Sequence, residues 1–166
     1  NMTNNKVPIK PVRAQGARTT FFPPYALMIG LIASSLLDSF FIHLPLFKGS
    51  MIVLIIGLII AVSSFLMAIY TLKIFSDNEE NPHPKSVQNQ LFVGGTFKYS
   101  RNPIYLGMLG ILISVCFFSQ SLSTFIVPVV FFFIIESTWI KYEEDKLADK
   151  FKNEWDEYKA STRKWI

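Results

Sequence analysis

"MIVLIIGLIIAVSSFLMAIY", residues 51–70, passes through a full helical span's worth of positions without one charged side chain. A helix needs roughly 20 apolar residues to cross a hydrocarbon core about 30 Å thick, each residue advancing it about 1.5 Å. The stretch therefore reads as a membrane-spanning helix, and it sets lipid as the solvent for its neighbours. Upstream, "YALMIGLIASSLLDSFFIHLPLF" (residues 25–47) is a second span, interrupted by Asp38, His43 and Pro45. Downstream, apolar runs at 104–118 and 122–135 are split by a polar "SQS" turn. Extended to 103–120 and 121–140 they make a tight hairpin of two further spans, ending near Trp139, a natural interface anchor. The expected fold is all-α: a membrane protein with four transmembrane helices, the last two a tight hairpin, plus a C-terminal amphipathic cytosolic helix.

Composition agrees. Of the 166 residues 51% are hydrophobic and 17% charged, and the 16 basic against 12 acidic side chains lie almost wholly outside the apolar runs. A net charge of +4 spread in this way suits anionic headgroups. Nucleic-acid binding would require a basic face interleaved with aromatics, and the chain has none. Cys116, the single cysteine, sits in an apolar run and reads as a small core or lipid-facing residue. The N-terminal stretch carries Lys6, Lys10, Arg13 and Arg18 without a short apolar core and cleavage site, so the first apolar run is expected to remain in the mature protein. Basic residues concentrate in this tail, in the 73–101 segment and in the C-terminal stretch, while the two short turns hold only Lys48. The positive-inside rule then puts both termini and the long middle loop in the cytosol.

Polar groups at membrane depth are costly and need a reason. Asp38 and His43 lie five positions apart, about 140° around a helix, so they do not pair. Glu136 follows "FFFII", and the helical neighbours that would hold a partner are Trp139 and Ile140. Either the span ends before Glu136 and leaves it wet, or an intramembrane acid continues as a polar stripe towards Glu143. Pro128 is expected to bend the fourth span. In "KYSRNPIYLG" (residues 98–107), Pro103 suits the first turn of a helix, Asn102 its N-cap and Arg101 a snorkelling position, which is a complete structural account. In "YEEDKLADKFKNEWDEYKASTRKWI" (residues 142–166), Leu147, Phe151, Trp155 and Tyr158 recur at helical spacing and share a face. That helix is either a surface anchor or a lid over a cytosolic site.

The order of these blocks adds a functional reading. "GGTFKYSRNPIYLG", an apolar hairpin, and then "YEEDKLADKF" with further aromatics closely resemble the integral-membrane methyltransferase family that includes isoprenylcysteine carboxyl methyltransferases and phospholipid N-methyltransferases. The matching residues are Gly95, Phe97, Lys98, Tyr99, Arg101, Asn102, Pro103, Tyr105 and Gly107, then Glu143, Glu144, Leu147, Phe151, Trp155 and Tyr158. Many members have His where this chain has Asn102, so no proton-transfer role is assigned there. Members often have Gly after the last Phe, where this chain has Lys152. The resemblance covers roughly the C-terminal half.

What the resemblance implies is S-adenosylmethionine as cofactor, bound without a Rossmann fold, and a lipid or lipidated acceptor arriving from the bilayer. It divides the chain into a basic cytosolic tail (1–24), two N-terminal spans on the acceptor side (25–75) and the cofactor-binding region (76–166). His83, Gly95, Tyr99, Arg101, Asn102, Pro103, Tyr105, Glu143 and Glu144 are the candidate cofactor-binding residues. Arg101 suits the cofactor carboxylate, Glu143 or Glu144 its amino group or ribose, and Tyr99, Tyr105 and the backbone near Gly95 its adenine. No catalytic nucleophile is expected, because an in-line methyl transfer depends on positioning and desolvation; Arg101 and Glu144 would position. His83 is equally at home as a solvated loop residue. A small four-helix transporter, a non-catalytic scaffold and a nicotinamide-dependent membrane reductase are the rival readings.

Overall fold

The computed structural model describes residues 22–40, 49–86 and 88–166, and every regular element among them is helical. Helix α1 is Pro23–Phe40 and α2 is Met51–Asp77. A 3₁₀ turn at Gly95–Lys98 leads into α3, Pro103–Ser119. A second 3₁₀ turn, Leu122–Phe125, opens α4, Ile126–Ile135, which runs through a π turn, Glu136–Ile140, directly into α5, Lys141–Phe151. Helix α6, Asn153–Ser161, completes the chain of elements. His43, Pro45 and the basic N-terminal residues lie outside the described residues.

Three of these helical segments are long and apolar enough to cross a membrane: Pro23–Phe40, Met51–Asp77 and Leu122–Phe151. Helix α3 is as apolar but shorter, at 17 residues. It is also the central helix, packing against α1, α2 and α4. Leu112, Ser114 and Cys116 on it are buried, whereas α2 exposes Ile52, Ile55, Ile59, Phe65 and Leu66. An outer surface of large apolar side chains is what lipid requires and water forbids.

The contact between α2 and α3 is made through small residues. A Cβ on Gly107 would lie 2.9 Å from the Ser64 carbonyl oxygen and 3.0 Å from the Ala68 Cβ. The glycine is needed because backbones this close leave no room for a side chain. At the far end, the Gly49 amide donates to the Gln120 side-chain oxygen over 2.9 Å, and the Gln120 amide donates back to the Ser50 carbonyl over 3.3 Å. The two short connections therefore meet at one end of the molecule. The start of α1, the end of α2, the start of α3 and α5 meet at the other, where they line one cavity.

Several expectations change here. The C-terminal stretch is not one helix on its own. Its first part, α5, continues the rod of α4 through the π turn, and the helix breaks at Lys152, whose φ of 46° and ψ of −112° belong to glycine-favoured space. Leu147 and Phe151 therefore lie on α5 while Trp155 and Tyr158 lie on α6, yet all four still pack into one cluster with Phe75 and Phe97. Pro128 falls in the first turn of α4, just after the 3₁₀ turn, and not in a helix interior.

Candidate active site

Pro103 takes the first position of α3, where its missing N–H costs nothing. That fixes Arg101 and Asn102 immediately before the helix, at the mouth of the cavity. Asn102 does not cap the helix with its side chain. Instead its Nδ2 donates to the Lys164 carbonyl over 3.1 Å, and the Ser100 hydroxyl donates to the same oxygen over 3.2 Å.

Arg101 does not snorkel. Its side chain is buried, with Nε donating to Glu144 Oε1 at 3.0 Å and Nη1 donating to the carbonyls of Thr162 at 2.8 Å and Lys159 at 3.2 Å. The guanidinium also lies 5.7 Å from the centre of the Trp155 ring. No hydrogen bond from Nη2 is made among the described residues, which leaves that nitrogen's donors for an anionic group. Glu143, one residue before Glu144 on α5, accepts a hydrogen bond from the Tyr105 hydroxyl over 2.7 Å. The two carboxylates thus have different partners, one a cation and one a neutral donor.

The cavity they share has a volume of about 360 Å³, within the range of small-molecule sites. Its apolar wall includes Leu72 and Phe75 from α2, Phe92 from the loop, Phe97 from the first 3₁₀ turn, and Ile104 and Met108 from α3. The three phenylalanines pack together, with centroid separations of 5.0 to 5.9 Å. The Tyr158 hydroxyl donates to the Phe97 carbonyl over 2.7 Å, and burial holds its phenol above the ordinary range, so it remains a donor.

The loop between α2 and the first 3₁₀ turn forms another wall. His83 stacks on Phe22 at 5.0 Å, and its Nδ1 accepts the Lys85 amide at 3.1 Å, which makes Nε2 the protonated nitrogen of the neutral ring. From α5, Lys146 Nζ donates to the carbonyls of Pro84 at 2.5 Å and Ser86 at 2.8 Å, while Lys150 Nζ donates to the Gln88 carbonyl. These two lysines, which sequence reasoning missed, tie the loop to the helix bearing the carboxylates. Their lysine-acid spacing on α5 looks like an ordinary solvated face, so no local signal marks them.

Of the nine candidate residues, the structure brings His83, Arg101, Asn102, Pro103, Tyr105, Glu143 and Glu144 to the cavity. Gly95 and Tyr99 are not on its lining. Tyr99 is 74% exposed. Gly95, with φ of 63°, has a fold role, since a Cβ there would come 2.7 Å from the Ile74 side chain. Glu136 resolves its two readings in a third way. It is neither simply wet nor alone: Lys164 Nζ lies 2.6 Å from Oε1 and Trp165 Nε1 donates to Oε2 over 3.0 Å. No local helical neighbour supplies those partners; they come from the end of the chain.

Fold and site together define an integral membrane protein of apolar helices with Arg101, Glu143 and Glu144 brought together in a cavity at one end of the bundle. A family model for phospholipid methyltransferases matches residues 47–154, and the chain belongs to that family of membrane methyltransferases. The match begins before α2, so it reaches further towards the N-terminus than the C-terminal motifs alone. No curated protein and no solved structure matches significantly.

Proposed function

We propose that the protein transfers the methyl group of S-adenosylmethionine to a lipophilic acceptor held in the bilayer, a phospholipid amine or a prenylcysteine-like carboxylate. The observation that carries this reading is the composition of the cavity: a buried arginine with Nη2 left over, two carboxylates with separate partners and an apolar aromatic wall, all where the apolar helices end. The donor set fits the cofactor. Arg101 Nη2 would meet its carboxylate, and Glu144 its ammonium. Glu143 and Asn102 would face its ribose, and the aromatic wall would take its adenine. When bound, the cofactor supplies an electrophilic methyl on a sulfonium.

The chain's own groups bind, orient and exclude water. Leu72, Phe75 and Met108 keep the apolar side dry, which favours loss of charge as the methyl leaves the sulfonium. The reading places four spans in the membrane, α3 among them, with the cavity, the loop and α6 on the cytosolic side.

Calorimetric titration of S-adenosylhomocysteine into the detergent-purified protein tests it, beside a Glu143→Gln variant that keeps an acceptor for Tyr105. Saturable binding by the wild type, weakened about tenfold or more in the variant, supports the site. Transfer of labelled methyl to vesicles containing phosphatidylethanolamine, or to a prenylcysteine, then separates the two acceptors. A folded wild type that binds neither S-adenosylmethionine nor S-adenosylhomocysteine overturns the proposal.

A further inference from the structure

Beyond α6 the backbone turns back across the start of α3. The Arg101 amide donates to the Arg163 carbonyl over 3.0 Å, and the Lys164 carbonyl receives both Ser100 and Asn102. The next side chains then reach the π turn. Lys164 Nζ lies 2.6 Å from Glu136 and 3.9 Å from Glu144 Oε2, and the Trp165 ring packs on Phe132 at 5.0 Å while its N–H goes to Glu136. Charges therefore alternate along one row: Glu136, Lys164, Glu144, Arg101. Side-chain exposure falls along it from 30% and 36% at the outer pair to 14% and 7% at the inner pair.

We propose that Glu136, Lys164 and Trp165 form a clasp that positions Arg101, Asn102 and Glu144 for the methyl donor. The proposal rests on the reading above, since it assigns the clasp to the same cavity. The clasp residues are not on the cavity lining and act only through the groups they hold. The physical case is that Arg101 Nη1 bonds the Lys159 carbonyl in the last turn of α6 and the Thr162 carbonyl that ends it, so the aim of the guanidinium follows the end of that helix. Trp155 and Tyr158 seat the body of α6 against Phe97 and Ile104. Past Thr162 the backbone is held at Ser100, Arg101 and Asn102, and Glu136 pins the side chains of the next two residues, Lys164 and Trp165. The outer pair is half-exposed and contributes little to global stability, which separates its positioning role from a folding role.

The test uses the full chain in detergent and three variants: Glu136→Gln, Lys164→Met and Lys164→Arg. Three quantities are read: S-adenosylhomocysteine affinity by calorimetry, hydrogen exchange in the peptide containing the Arg101 amide, and melting temperature. Expected is a roughly tenfold weaker affinity for Lys164→Met and Glu136→Gln, with faster exchange at Arg101. Lys164→Arg stays within about threefold of wild type, because it retains both carboxylate contacts. Melting temperatures within a few degrees of wild type accompany this. Unchanged affinity and exchange in a folded Lys164→Met protein overturns the clasp. A wild type that binds no ligand overturns the methyl-donor reading instead, and exchange at Arg101 then still decides whether Glu136 and Lys164 hold the returning chain.

Discussion

Arg101 holds three parts of the molecule with one planar group: the carboxylate of α5, the end of α6 and the chain beyond it. A lysine carries its donors on one nitrogen and cannot reproduce the spread of Nε and Nη1 that reaches Glu144 on one side and two carbonyls on the other. Arg101→Lys is therefore expected to abolish detectable S-adenosylhomocysteine binding and to lower unfolding stability by less than the roughly 3–5 kcal/mol of losing a buried ion-pair partner outright, since a cation remains, as read by denaturant titration. The opposite effect is expected at Lys152. A lysine in glycine-favoured backbone space stores about 1–3 kcal/mol, so Lys152→Gly should raise the melting temperature and leave the cavity intact. These two residues also show how far sequence carries at this scale. "RNP" correctly placed Pro103 in a first turn, but Asn102 and Arg101 are satisfied by carbonyls about sixty positions away. No local pattern encodes such contacts. Lys152 departs from the glycine that many family members have at this position, and its backbone conformation is the one that glycine favours.

At the scale of elements, apolar periodicity and length were legible, because lipid-facing helices advertise themselves as runs without charge. The junctions were not. Whether α4 ends at Ile135 or continues into α5 depends on a π turn that propensity does not mark. That turn inserts a residue into the helical register. Deleting Thr138 should restore α geometry and keep Glu143 and Glu144 facing Arg101 and Tyr105, because five π residues and four α residues turn through about the same angle, so binding should survive with helix content by circular dichroism unchanged. A second expectation concerns the α2–α3 contact. Gly107→Val should lower the melting temperature sharply, since the new side chain meets the Ser64 carbonyl and must push the helices apart. The glycine of the "PIYLG" block thus serves packing, and neither its spacing nor its composition distinguishes that from a ligand contact.

For the whole molecule, the short connections share one end and the cavity the other, so labels at the two ends should report opposite faces. In proteoliposomes of uniform orientation, Glu157→Cys and Ser50→Cys are expected to react with an impermeant maleimide from opposite sides, with the buried Cys116 silent. Labelling of both from one side would overturn the topology. The helices that frame the cavity are unequal: α2 is about 40 Å long and the central α3 about 25 Å. The cavity floor at the start of α3 is thus sunk below the rim made by the end of α2. An acyl chain costs about 0.8 kcal/mol per methylene to draw into water. A lipid of ordinary length could never be brought out to a water-borne enzyme cheaply, whereas under the proposed function only the headgroup would have to bend towards the donor and the chain would stay in oil.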